Sequence, residues 1–220
     1  MSRHLSWLLP LIAVIIYAPF SGALDLAISK HFFFDDQFHE VSIAKVFYKL
    51  GEFPGLLLGA GSILVYLSTY VTDRFAQWRK AAAVVAIVFL VGPGLLVNGV
   101  FKEFWGRSRP RMVEQFGGAN TFSPFYKPNF SADGYGNKSF PSGHVSMGFF
   151  FFALALAAER EGWMKTFYAA FVFAFVLGSV LTLVRVSQGG HFFSDCVMAA
   201  VIMWWLSLAG CRFIYGPKEA

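Results

Sequence analysis

The chain has 220 residues, of which 56% are hydrophobic and 14% charged, with a formal net charge of +5 at neutral pH. This balance excludes an ordinary soluble or disordered chain and is that of a single membrane-embedded domain over residues 1–220. The positive charge suits anionic lipids or phosphorylated substrates. It does not suggest nucleic acid, because the basic residues are scattered over connecting segments and no reading module accompanies them.

Six apolar stretches follow in order: Leu5–Leu24, Pro54–Val71, Ala81–Phe101, Val145–Ala158, Thr166–Val184 and Phe192–Ile214. Most approach the ~20 residues that a helix needs to cross the hydrocarbon core. The fourth is short but gains a turn if it begins at Pro141. The pattern predicts an all-α integral membrane bundle of six transmembrane helices. Arg3, the apolar run behind it and Ser21-Gly22-Ala23 also fit a cleavable secretion signal. The stretch is long for that role, so a retained first helix is expected. Between the first two stretches, Phe38, Val41, Ile43, Ala44, Phe47 and Tyr48 recur at roughly helical spacing, with Lys45 and Lys49 between them. Such a segment fits either a helix lying in the membrane interface or an ordinary loop helix packed on the bundle. Cys196 and Cys211 both fall in the last stretch, without metal or disulfide spacing, and read as small apolar filler.

Polar clusters stand at the edges of these stretches. The first is Lys102 with Arg107, Arg109, Pro110 and Arg111; the second is Pro141-Ser142-Gly143-His144; the third is Arg185 with His191 and Asp195. Ionisable groups at such depth are costly, which makes them functional-site candidates. Six alternating spans bring all three clusters to one face of the membrane, so one site built from several helix ends is predicted. Proline suits the first turn of a helix, and the free N–H groups that follow it attract phosphate. His144 beside a bound phosphate is placed to protonate a leaving oxygen. His191 and Asp195 are four apart, so on a helix the carboxylate can accept the imidazole Nδ1–H and leave Nε2 as a nucleophile. A purely structural His–Asp pair fits the same spacing. Lys102, Arg109 and Arg185 supply cations for the oxygens of a transferring phosphoryl group, while Arg107 and Arg111 read rather as lipid-headgroup anchors. No carboxylate constellation suited to metal catalysis accompanies them, and no cofactor is expected.

The spacings Lys102-x6-Arg109-Pro110, Pro141-Ser142-Gly143-His144 and Arg185-x5-His191-x3-Asp195 resemble the three signatures of the type-2 phosphatidic acid phosphatase superfamily. One departure is Val184, where the family usually has serine before the arginine. The resemblance implies a six-helix enzyme without a metal that works through a phosphohistidine. His191 would be the nucleophile, Asp195 its orienting carboxylate and His144 the acid. Lys102, Arg109, Ser142, Gly143 and Arg185 would hold the phosphate. Trp105-Gly-Arg-Ser-Arg-Pro and Asn137-Lys-Ser-Phe-Pro-Ser-Gly-His are also similar to bacterial lipid A 1-phosphatases, although Lys138 and Pro141 depart from that subgroup.

The expected enzyme is a lipid phosphate phosphatase of the bacterial inner membrane. Its site would face the periplasm, because the short connectors Asp73–Lys80 and Glu159–Lys165 are the positive ones. Lipid A 1-phosphate, undecaprenyl pyrophosphate and phosphatidylglycerol phosphate are the candidate substrates. No obligatory protein partner is implied. A phosphotransferase, and a lipid-phosphate binder or transporter that does not cleave, remain alternatives. Substrate choice is expected from the loop Met112–Lys138, where Lys127 and Lys138 would hold a second phosphate.

Overall fold

The structure is a computed structural model that describes residues 5–132 and 134–217; Arg3 lies outside them. Among the described residues, five helical segments are long and apolar enough to cross a membrane: Leu5–His31, Ala44–Ser68, Asp73–Phe104, Met164–Ser187 and Phe193–Tyr215. The chain is a multi-pass membrane protein. Helix α1 spans Leu5–His31, α2 Ala44–Leu50 and α3 Phe53–Ser68. The third span begins as α4 (Arg79–Phe89), widens into a π-helical stretch over Leu90–Phe101 around Pro93, and ends as α5 (Lys102–Phe104). Helices α6 (Gly143–Phe149) and α7 (Phe151–Arg160) share the fourth apolar run, followed by α8 (Met164–Ser187) and α9 (Phe193–Tyr215).

The fourth run is short because it never faces the lipid along most of its length. All but one residue from Val145 to Ala158 are buried. Helix α6 packs on α3, α8, α9 and the π-helical stretch, and α7 on α4, α8 and α9. A helix apolar all round is a core helix, and here it is the axis of the bundle. Close approach is achieved with small residues: a Cβ added to Gly148 would stand 2.8 Å from the Gly178 Cα on α8. Lipid gives helices no hydrophobic reason to associate, so such backbone contact is where packing energy comes from.

Helix α1 is attached differently. Pro10 lacks the N–H that would have bonded the Ser6 carbonyl four residues back. The Trp204 indole takes its place, donating to Ser6 O at 2.9 Å, while Trp205 donates to Trp7 O at 3.2 Å.

Two segments differ from the sequence-based expectation. Residues Asp25–His31 continue α1 rather than starting a connector, which carries Asp25 into the bundle at zero exposure. The interfacial segment is in part a hairpin, Phe33–Phe34 pairing antiparallel with Gln37–Phe38. Its turn residues Asp35 and Asp36 have φ of 49° and 57°, a left-handed conformation that aspartate tolerates better than most residues. Only the short α2 after it is helical; it packs on α8. The ends of α1, α5 and α8 meet the starts of α3, α6 and α9 beneath the connector that begins after Phe104.

Candidate active site

The connector folds back over the helix ends in three short 3₁₀ turns, Pro110–Met112, Glu114–Phe116 and Tyr135–Asn137. Gly106 sets its direction. Its φ is +65°, and a Cβ there would lie 1.8 Å from Asn129 O. The next residue, Arg107, turns inward and is the largest fully buried side chain among the described residues. Its Nη2 donates to Asp25 Oδ2 at 2.8 Å, its Nη1 to Asp195 Oδ1 and to Ser194 Oγ at 2.8 Å, and its Nε to Ser123 O at 3.0 Å. The guanidinium also lies 4.6 Å from the Phe192 ring centroid. A solvated headgroup anchor needs none of this, so the structure corrects that expectation for Arg107. The planar fork bridges two carboxylates that neither span could bury alone.

Asp25 also accepts the Ser194 N–H at 2.8 Å and the Ser194 hydroxyl at 2.6 Å. Asp195 accepts the Ser139 hydroxyl at 2.6 Å and the Phe192 N–H at 2.9 Å. Two helices and the connector are thereby fixed around one turn at the start of α9.

His191 sits in that turn, 2% exposed. Its Nδ1 lies 2.6 Å from Ser139 O and 3.9 Å from Asp195 Oδ2. A carbonyl only accepts, so Nδ1 carries the proton and Nε2 presents its lone pair. The direct bond to Asp195 that the i,i+4 spacing predicted is replaced by Ser139. The serine accepts from the imidazole with its carbonyl and donates to Asp195 with its hydroxyl. Burial, and then the charges of Arg185, Lys102 and Arg109, hold the His191 imidazole well below its ordinary titration range. It is therefore neutral, the state a nucleophile needs.

Burial, and then the same three cations, push the His144 imidazole down to about 4 before an anion binds. Arg109 and Arg185 are buried. The Lys102 Nζ lies 2.6 Å from where a Gly143 Cβ would be, so glycine is what admits the ammonium to the start of α6. The Arg185 Nη1 donates to Gln188 Oε1 at 2.6 Å, and its guanidinium rests 4.9 Å from the Tyr48 ring centroid. The Ser142 hydroxyl is buried without a hydrogen-bond partner among the described residues. A buried hydroxyl in that state is a donor left for an anion. Ser142, Gly143, Lys102, Arg109, Arg185 and both histidines thus converge at one end of the bundle.

His144 is held from the other side. Its Nδ1 is 3.1 Å from Glu52 Oε1, its Nε2 3.1 Å from Tyr48 O, and its ring stacks on Tyr48 at 4.9 Å. Lys127 and Lys138 do not join this group. Lys127 is exposed on the connector, and Lys138 is paired with Glu103 at 2.5 Å on a half-exposed rim. Among the described residues, no group of three or more His, Cys, Asp or Glu is arranged to hold a metal.

Sequence reasoning missed Asp25, Ser139, Glu52 and Tyr48. Asp25 had a usable signal, an acidic residue directly after an apolar stretch. Ser139 contributes chiefly a backbone carbonyl, which no residue type advertises.

The description "PAP2 superfamily" matches residues 83–217. A lipid A 4′-phosphatase of Francisella tularensis subsp. novicida is 42% identical over 71% of this chain and 69% of its own length. A lipid A 4′-phosphatase of Rhizobium leguminosarum is 37% identical over 64% of this chain and 54% of its own length. Both names carry the 4′ position, whereas the subgroup that the sequence resembled is named for the 1 position. No solved structure matches the chain. The matched stretch covers more than half of the sequence and holds the converging cations and histidines, so the chain belongs to the PAP2 superfamily and is a membrane lipid phosphatase.

Proposed function

We propose that this protein removes the 4′-phosphate of a lipid A-type glycolipid through a phosphohistidine on His191, at the periplasmic face of a bacterial inner membrane. The observation that carries the mechanism is the His191–Ser139 hydrogen bond, which leaves Nε2 as the free nitrogen within a ring of three cations. The substrate position rests on the 4′-phosphatase relatives. An apolar cleft of about 790 Å³ between α1, α8 and α9, lined in part by Ile28, Phe175, Leu183 and Val197, offers room for acyl chains.

In the first step the Nε2 lone pair attacks phosphorus and the P–O bond to the sugar breaks. The bound phosphate offsets the three cations, and with Glu52 Oε1 3.1 Å from Nδ1 it lets His144 carry the proton that the departing oxygen takes. Lys102, Arg109, Arg185 and the Ser142 hydroxyl neutralise the phosphoryl oxygens throughout. The imidazole becomes cationic as the P–N bond forms. The Ser139 carbonyl and the Asp195 carboxylate, 2.6 and 3.9 Å from Nδ1, stabilise that charge. Water then attacks the phosphohistidine and gives its proton to His144; the P–N bond breaks and inorganic phosphate leaves.

The test is turnover of lipid A by the purified protein, with mass spectrometry of the product. Loss of the 4′-phosphate alone, an acid-labile protein-bound phosphate during turnover, and loss of both in His191→Ala are expected. Release from the 1-position, or a His191→Ala variant that retains activity, would overturn the assignment.

A further inference from the structure

Beside the phosphate site lies a second, polar cavity of about 320 Å³, lined by Phe38, Glu40, Tyr48, Arg111, Arg185 and Gln188. Two of its walls belong to the site itself. Arg185 is one of the three cations acting on both histidines, and the Tyr48 ring meets both Arg185 and His144. A phosphate held by Arg185 therefore lies against this cavity. A role for the cavity in selecting the headgroup rests on the lipid phosphatase activity proposed for this site.

The lining is unlike that of an acyl groove. Glu40 offers a carboxylate, Gln188 an amide and Arg111 a guanidinium, beside the Phe38 and Tyr48 rings. A carboxylate and an amide accept and donate to hydroxyl groups, and an aromatic face covers the apolar side of a sugar ring. These groups are already ordered by one another: Gln188 Nε2 donates to Glu40 Oε2 at 3.0 Å, and Gln188 Oε1 accepts from Arg185 at 2.6 Å. The Arg111 N–H donates to Gly189 O at 3.2 Å, which ties the connector to the end of α8 beside Gln188. A cavity of this size is at the small end for ligand sites and suits one ring rather than a disaccharide.

We infer that this cavity is a headgroup subsite that takes the phosphate-bearing sugar, with Glu40 and Arg111 binding its hydroxyl or amide substituents while Arg185 holds the phosphate. Specificity then lies on the α1–α2 segment and at Arg111, rather than at Lys127 and Lys138. Glu40 and Arg111 are both exposed, so replacing either leaves the packed bundle intact.

The experiment measures calorimetric binding of glucosamine 4-phosphate and of glycerol 3-phosphate to the full-length purified protein in the His191→Gln background, where neither is turned over. The sugar phosphate is expected to bind at least about tenfold tighter, the equivalent of one well-made charged hydrogen bond. Glu40→Ala and Arg111→Ala, added singly, are expected to remove that preference while leaving glycerol 3-phosphate affinity unchanged. Equal affinity for the two ligands before these substitutions, or equal loss for both after them, would overturn the subsite. Turnover of lipid A by the wild-type protein separates the two readings. Sugar preference without lipid A turnover sinks the proposed substrate and keeps the subsite; turnover without sugar preference does the reverse.

Discussion

Removing the Asp25 carboxylate is the sharpest probe of how the nucleophile is held. In Asp25→Ala, Arg107 keeps one of its two carboxylates, and the Ser194 N–H and hydroxyl lose their acceptor. All of these groups are buried, so water does not replace the lost partner cheaply. Breaking a buried ion pair by deleting one side costs about 3–5 kcal/mol, and the two orphaned Ser194 donors are part of that same loss rather than an addition to it. For a chain of this size the expected fall in Tm is on the order of 10 °C. Asp25→Asn keeps one acceptor for the Ser194 N–H but sets an NH2 against the Arg107 Nη2 that Oδ2 had accepted from, so a fall of similar size is expected. Because Ser194 adjoins Asp195 and Asp195 holds Ser139, the turn carrying His191 shifts as well. A displacement near 1 Å costs about a hundredfold in rate. The assay is thermal unfolding in nanodiscs together with kcat and KM on one lipid phosphate. The double variant Asp25→Ala with Arg107→Leu should be less stable than Asp25→Ala and no more active, because the buried Asp195 carboxylate then loses its cation. An Asp25→Ala protein with unchanged Tm and unchanged kcat would refute the reasoning outright.

Other outcomes rest on the same geometry. Gly106→Ala should fail to give a stable protein, because its φ of +65° is strained for any side chain and the Cβ meets Asn129 O at 1.8 Å; a variant that purifies with normal activity would contradict this. His191 is kept neutral in the fold and titrates near 6.5 when unfolded. Its contribution to stability is therefore full above about pH 6.5 and is lost as the pH falls below it, where only the unfolded chain takes up the proton. Tm measured from about pH 7.5 down to 5 should fall more steeply in the wild type than in His191→Asn, and equal slopes would show that this group is not the cause. Lys138→Ala removes only a half-exposed ion pair with Glu103, worth less than about 1 kcal/mol. Its kcat/KM on mono- and diphosphorylated lipids should match wild type, and a selective loss on the latter would return Lys138 to the site.

The spans were legible because lipid imposes a length and a polarity that few other environments demand. The convergence of Lys102, Arg109, His144, Arg185 and His191 was legible too, since alternating spans leave polar residues at helix edges only two faces to occupy. What escaped was the way the groups are joined. An i,i+4 spacing places His191 and Asp195 on one helix face only if both lie within the helix. Here α9 begins at Phe193, so His191 is still in the turn and its Nδ1 reaches a carbonyl instead. Arg107 escaped for a related reason. Its depth depends on Gly106 turning the connector inward, and the carboxylate that receives it lies 82 residues away in α1. Burial of a cation is a property of the partner it meets, and the partner here stands in another span.

Helix α1 is clamped to the bundle rather than packed into it, and its tolerance to change is set by that difference. Of its most apolar 18-residue window only 11% is buried, so most of its surface meets lipid, where neighbouring helices and acyl chains are equally apolar. Its polar hold on the bundle is concentrated near its two ends, where Trp204 and Trp205 meet the Ser6 and Trp7 carbonyls and where Arg107 and Ser194 meet the Asp25 carboxylate. The helix behaves as a beam pinned at both ends. Substitution along the beam, at positions such as Ile12, Ile15 or Ile16, is free to vary with the membrane around it, while each pin tolerates almost nothing.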